Sequence, residues 1–528
     1  MRFLLALAAA LALGSIDLLG AQTYDLVLRG GRLIDGTGNP AVFADLAIKD
    51  GRIAATGVIP PGSGRELDVR GLVVTPGFID VHTHAEDIEE LPQGANFARM
   101  GVTTVVMGNC GSSVLNVGEF FTRLESTGLA INVATLIGHG TVRSKAMGGS
   151  FDRPPTAVEL EQMRSMVGQA MKDGAVGIST GLIYLPGTFA RTEELIEVAK
   201  VASAYDGIYA SHMRSESDRI LDSLAEVFRI AREAKMRAEV SHIKLAGKAN
   251  WGRTEQVLAA IEAARASGLD ITQDQYVYTA SSTSIGTLIP DAAREGGRQK
   301  FIERIGRPAE KASIAAEMKQ SLARRGVDSF AYAVIASYRH DPSCNGLNIV
   351  EAARKQLGGD SLDQQVEMIL EIERNGGAQG VFHGMSESDL QNFSRHPNTM
   401  FASDSGVRKF KEGVPHPRGY GNNARVLSRY VRELKVLRLE EAVRRMTSLP
   451  AATFHLQNRG EIRTGNWADV VVFDPEKVRD NATFSDPHHY ATGFRYVLVN
   501  GAVVVEDDHQ SEARPGRPLR NVAVRKSP

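Results

Sequence analysis

The sequence predicts an α/β protein: a (β/α)8 barrel joined to a small β domain formed by both chain termini. Three observations carry this. Eight short apolar, β-branched runs alternate with helical stretches between residues 77 and 406. Most of these runs end in His, Cys or Asp at intervals of about thirty residues. Both ends of the chain carry short strand patterns cut by Gly, Asp and Asn turns.

The runs are GFIDVHTH, TTVVMGNCG, NVATLIGHG, GAVGISTG, GIYASHM, RAEVSHIK, DITQDQYVY and TMFASDSG. Between several of them lie amphipathic patterns such as EELIEVAKVASAY and ILDSLAEVFRIAREAK, apolar at i, i+3, i+4 and i+7. About thirty residues is the length of one strand plus one crossover helix. A doubly wound open sheet also alternates, but eight evenly spaced units favour the closed barrel. In such barrels the C-terminal strand ends share one face, where chemistry is done.

Two regions break the rhythm. Residues from about 285 to 380 delay the eighth strand and are too long for a simple loop, so they read as an insertion, a lid over the site. The segments TYDLVLRGGRLIDG, ADLAIKDGRIAATG, GNWADVVVFD and RYVLVNGAVVVEDD read as hairpin strands flanking the barrel. The expected organisation is therefore a small split β domain at 22–75 and 455–528, with the barrel at 76–454.

Composition narrows the function. Apolar residues are 43% and charged residues 23%, with a formal net charge of −1 and no basic block, which disfavours nucleic-acid binding. The opening MRFLLALAAALALG carries one Arg and an apolar run too short to span a bilayer, the pattern of a secretory signal over residues 1–21 with Ala21 at the cleavage point. The expected location is the periplasm or the medium, with no stable membrane anchor after cleavage. Of the two cysteines, Cys110 and Cys344, a disulfide is open to an exported protein.

His82 and His84 are two residues apart at the end of the first run, so on an extended chain they point to one side. Cys110, His212, His242 and Asp404 close other runs. Imidazole, thiolate and carboxylate are the ligand set of zinc and similar ions, and their convergence on one barrel face predicts a metal site. Asp404 is then the carboxylate placed to act as general base and general acid. His139, Glu216 and His383 are candidate pocket neighbours without an assigned role. Cys344 falls inside the insertion.

The fragments LVLRGGRLIDGTG, TPGFIDVHTH, ASH, SHIK and ASDSG resemble the amidohydrolase superfamily, over residues 24 to 510. GNCG, STGLIYLPG, SHMRSES, SHIKLAGKANWG, YVYTASST and PHPRGYG are similar to the N-acyl-D-amino-acid deacylases within it. Many relatives bridge two metals with a carboxylated Lys after the fourth strand; GAVGISTG offers none, and the resemblance implies a Cys110 thiolate instead. It implies that Cys110, His212 and His242 hold a tight zinc and that His82, His84, Cys110 and Asp404 form a second site of variable occupancy. It further implies that Tyr184 helps hold the scissile carbonyl oxygen, and that Lys244, Arg418, Tyr276 and Ser282 grip the substrate carboxylate. Lys244 is placed there because it follows His242 by two residues.

The expected reaction is zinc-dependent hydrolysis of an N-acyl-D-amino acid to a carboxylate and a free D-amino acid, the partner being that small molecule or a dipeptide. Alternatives are a dipeptidase acting on dipeptides with a C-terminal D-residue, a cyclic-amide hydrolase, and, remotely, a non-catalytic barrel scaffold. Neutral or apolar side chains are the expected preference, since no second basic cluster stands out beyond Lys244 and Arg418, and the oligomeric state is left open.

Overall fold

A computed structural model describes residues 23–521; the signal-like segment lies outside the described residues. Eight parallel strands form the central ring: Phe78–Asp80, Val102–Met107, Asn132–Thr135, Gly177–Gly181, Ile208–His212, Ala238–Val240, Ile271–Gln275 and Thr399–Phe401. The first three pair in order. A short extension of the third, Ile137–Gly138, pairs with the fourth, and pairing then runs unbroken to the eighth. Ser405–Gly406 pairs in parallel with Thr83–His84, which sets the last strand beside the first.

The helices between strands bury the faces that the periodicity marks. Ile220–Ala234 turns Ile220, Leu224, Val227, Phe228 and Ala231 inward, an i, i+4, i+7, i+8, i+11 stripe. Ala157–Asp173 begins with a capping box in which Thr156 and Glu159 exchange hydrogen bonds, satisfying two end groups that would otherwise lack partners.

Strands from both chain ends share one sheet. Its order is His509–Gln510, Ala502–Glu506, Phe494–Val499, Val470–Phe473, Val73–Pro76, Leu26–Leu33, Val42–Lys49 and Arg52–Gly57, with Arg65–Asp68 beside Leu26–Leu33. The C-terminal segment does more than the expected β domain. Residues 516–521 leave the sheet and cross the N-terminal end of the barrel, where Gly516 N donates to Leu129 O (2.7 Å), Leu519 N to Val133 O (2.7 Å) and Asn521 N to Gly174 O (3.0 Å). Residues 478–492 reach the opposite end: Tyr278 donates to Asp480 (2.8 Å), and His488 contacts both Lys411 N and Gly413 O.

The insertion has its own hydrophobic core, including Phe301, Met318, Phe330, Ile349, Ile369 and Phe382. Helices pack against an antiparallel sheet of Ala280–Ser284, Gln379–His383 and Ala333–Ser337. Ser282, Thr283, Ser284, Ala336, Ser337, Arg339 and Gln379 from this unit form one wall of the cavity described next. Among the described residues, no helix is long and apolar enough to cross a membrane.

Candidate metal centre and active site

The C-terminal strand ends converge on Cys110. Its Sγ lies 3.3 Å from His82 Nε2, 3.6 Å from His212 Nδ1 and 3.6 Å from His242 Nε2. Asp404 Oδ1 lies 3.3 Å from His84 Nε2 and 3.7 Å from His82 Nε2. Cys110, His242 and Asp404 all adopt the left-handed region, with φ of 53°, 36° and 51°. Side chains tolerate that conformation poorly, and residues held in it cluster at functional sites. Here each sits just beyond its strand and turns its side chain back over the ring.

The donor set fits a tetrahedral ion. Zinc bonds of about 2.3 Å to sulfur and about 2.0–2.1 Å to nitrogen place the two ligands about 3.6 Å apart. That is the separation of Cys110 from His212 and from His242. Three groups among the described residues have ligand atoms that all lie within 4.8 Å of one another: His82–Cys110–His242, His82–His84–Asp404 and His212–Glu216–His242. The expected trio of Cys110, His212 and His242 is not one of them, although both imidazoles stand 3.6 Å from the thiol. A bridging Lys has no room here: a Cβ at Gly181, the end of the fourth strand, would lie 2.0 Å from Cys110 O.

The electrostatics favour the liganding forms of the acids. Burial pushes the Cys110 thiol up, but the charge of His82 and hydrogen bonds with His212 and His242 hold it well below its ordinary value. Burial likewise opposes ionisation of Asp404, yet the Arg418 guanidinium at 2.8 Å and His84 keep it well below the carboxylate range. Burial lowers the basicity of His84, while Asp404 and Cys110 more than reverse this and lift it to about 10.

Outside the ligand atoms, Glu216 joins two histidines. Its Oε1 lies 2.9 Å from His242 Nδ1 and its Oε2 3.8 Å from His212 Nε2, the ring nitrogens that do not face Cys110. Asp274 Oδ2 does the same for His82 Nδ1 at 3.2 Å. Carboxylates on the far nitrogen fix tautomer and ring orientation in metal sites. The sequence left Glu216 undecided; its position four residues after His212, in the turn leaving the strand, was the available signal.

A cavity of about 1700 Å3 opens above this cluster, lined by His84, Cys110, Tyr184, Asp404 and Arg418 among others. Tyr184 accepts a hydrogen bond from Thr283 Oγ1 (3.0 Å), which leaves its own O–H free to donate. Burial, then the charge of Cys110, raises this phenol well above its ordinary value, so it is neutral.

The expected carboxylate grip is only half assembled. Arg418 and Ser282 face the cavity. Lys244 does not: it is buried, with Nζ 2.5 Å from Glu216 Oε1 and 2.7 Å from His242 O. Tyr276 lies beneath the Arg418 guanidinium, 4.5 Å from ring centre, with its hydroxyl on Met385 Sδ. His139 is also outside, buried against Glu194 (2.8 Å), and His383 packs on Phe484. Cys110 and Cys344 are both free thiols.

The Amidohydrolase family model matches residues 65–505. The D-aminoacylase of Alcaligenes xylosoxydans xylosoxydans is 35% identical over 530 residues, covering 96% of this chain and 99% of that protein.

The chain belongs to the amidohydrolase family.

The N-acyl-D-glutamate deacylase of the same organism is 35% identical over 526 residues, covering 95% of this chain and 98% of the other. Among solved structures, N-acyl-D-glutamate deacylase from Bordetella bronchiseptica, complexed with zinc and a phosphonate inhibitor that mimics the tetrahedral intermediate, superposes with a TM-score of 0.82 at 35% identity. That match covers 94% of this chain and all of the other. The barrel architecture expected from the eight alternating runs is thus that of its structural relatives, and the family supports a metal-dependent amide hydrolase.

Proposed function

We propose that this amidohydrolase cleaves the amide bond of N-acyl-D-amino acids, releasing a carboxylate and a D-amino acid. The observation that carries the proposal is the Cys110 thiolate surrounded by three imidazoles, with Asp404 across the same cluster. The D series comes from the relatives, a D-aminoacylase and an N-acyl-D-glutamate deacylase.

Cys110, His212 and His242 would hold the tight zinc, and His82, His84 and Asp404, sharing Cys110, a weaker second ion. Zinc there supplies Lewis-acid polarisation of the carbonyl and lowers the pKa of water. Asp404, ionised and facing the cavity, takes a proton from the attacking water and returns it to the leaving nitrogen. Arg418 keeps that carboxylate ionised and, with Ser282, receives the substrate carboxylate. Tyr184 donates its free O–H to the carbonyl oxygen as charge develops on it. Glu216 and Asp274 hold the ring orientations on which the cluster depends.

At about 1700 Å3 the cavity exceeds the roughly 300–1000 Å3 of ordinary small-ligand pockets, which favours, as a second reading, a bulky acyl group or a dipeptide with a C-terminal D-residue. The apolar N-terminal run supports export.

The test uses protein lacking residues 1–21: bound zinc, and hydrolysis of matched N-acetyl-D- and N-acetyl-L-amino acids, with Asp404→Asn beside the unaltered enzyme. Turnover of the D series alone, reduced about a hundredfold or more in Asp404→Asn, is expected. Equal turnover of the L series would remove the stereochemical claim.

A further inference from the structure

Two guanidinium groups line the cavity near Asp404, and only one of them is paired. Arg418 lies 2.8 Å from Asp404 Oδ2. Arg408, four residues beyond Asp404, donates its backbone N–H to Asn96 Oδ1 (3.1 Å) and its Nε to Ser405 Oγ (3.1 Å). Among the described residues it forms no ion pair, and its two terminal nitrogens donate to no protein atom.

Its position is built into the fold. Asn96 is fully buried and also donates to Gly406 O (3.2 Å) and Gly419 O (3.0 Å). One amide therefore fixes both segments from which Arg408 and Arg418 project. A Cβ at Gly419 would come within 2.5 Å of Ser405 Oγ and 3.3 Å of Arg408 Nε, so the Arg408 stem lies against the start of the helix Arg418–Arg425.

The surroundings favour an incoming anion. Burial and the charge of Arg418 both work against the Arg408 cation; Asp87 and Asp404 are the carboxylates whose field supports it, and neither is within ion-pair distance. A partly buried cation without an anion is unfavourable until one arrives. The other cavity cations, Lys145, Arg339 and Lys409, are exposed, and Lys409 faces Glu412 at 3.8 Å. A planar guanidinium whose two terminal nitrogens are both free presents one open edge that matches a carboxylate bidentately.

We infer that Arg408 receives a second carboxylate of the substrate. The inference rests on the proposed amide hydrolysis and narrows its substrate class to dicarboxylic N-acyl-D-amino acids, with the α-carboxylate at Arg418 and the second at Arg408. That second carboxylate has two possible sources, the amino-acid side chain or the acyl group.

The metal-loaded enzyme is assayed for kcat/KM on N-acetyl-D-glutamate, N-acetyl-D-aspartate, N-succinyl-D-leucine and N-acetyl-D-leucine. Arg408→Gln and Arg408→Lys are run beside it. The expected result is a preference of about tenfold or more for at least one dicarboxylate over N-acetyl-D-leucine. That ratio collapses toward one in Arg408→Gln and is intermediate in Arg408→Lys, which keeps the test decisive if the Gln variant misfolds. Preference for the acetyl dicarboxylates assigns the side chain as source; preference for the succinyl compound assigns the acyl group. A best rate on N-acetyl-D-leucine, or a loss shared equally by all four compounds, overturns the inference and leaves the amide hydrolysis standing. No turnover of any compound overturns both.

Discussion

Gly181 offers a direct probe of whether Cys110 organises the metal centre. In Gly181→Ala the new Cβ falls 2.0 Å from Cys110 O and 2.7 Å from Tyr184 Cδ2. An ordinary contact begins near 3.4 Å, so the Cys110 backbone must retreat by about 1.4 Å. Ligand distances in metal sites hold to about 0.2 Å, so this displacement is several times what the site tolerates. Gly181 is in a strand and not in the left-handed region, so the substitution acts by space alone. Overpacking of this kind destabilises by about 1–3 kcal/mol, a cost a chain of this size survives. The expected outcome is a folded protein, by its thermal melt, that loses most of its zinc on dialysis and most of its activity with it. Metal content is read by atomic emission per mole of chain. A folded Gly181→Ala protein with zinc retained at the level of the unaltered enzyme would refute the argument that Cys110 needs this backbone position.

Other expectations follow from the same geometry. Tyr184→Phe keeps the ring against His212 but removes the donor, so kcat drops about a hundredfold while zinc content is unchanged; steady-state kinetics with metal analysis checks both. Stripping the metal and adding zinc back at pH 7 in weak buffer releases protons. Metal-free His84 holds its proton up to about pH 10, so the ion must displace it, and the apparent affinity weakens as the pH falls. A pH indicator that records no release would contradict the protonated state assigned to the metal-free cluster. Truncation after Ala513 removes the backbone bonds at Gly516, Leu519 and Asn521, lowering stability by about 2–4 kcal/mol; an unchanged melt would show that this strand of chain only rests on the barrel.

Much of this was visible in the residue order. The ring strands announce themselves because each is buried on both faces and reads as a continuous β-branched run, and four of the five ligand-bearing ends carry His or Cys where polar residues are rare. His82 and His84 obey two-residue alternation, and both reach Asp404. Lys244 fails the same rule for a local reason. The sixth strand ends at Val240, and His242 turns into the left-handed region, so residues 242 and 244 no longer share an extended backbone. Lys244 is thereby committed to Glu216 and His242 instead of the cavity. Asn96 was hidden for a different reason: its partners are backbone atoms far away in sequence, and nothing in its own neighbourhood marks it, whereas Glu216 stands four residues after His212 and only its second partner, His242, is distant. The free guanidinium of Arg408 was equally silent, since an unpaired Arg in RKFKEG looks like any charged loop.

The sheet shared by the two chain ends has a consequence for biosynthesis. Val73–Pro76 takes hydrogen bonds from Leu26–Leu33 on one side and from Val470–Phe473 on the other. During synthesis its second edge therefore stays bare until almost four hundred further residues have emerged, at about 5–20 residues per second. Bare edges invite pairing with foreign strands. A nascent chain of this protein carries that hazard for tens of seconds, so its early fate depends on whatever shields Val73–Pro76 until the last strands arrive.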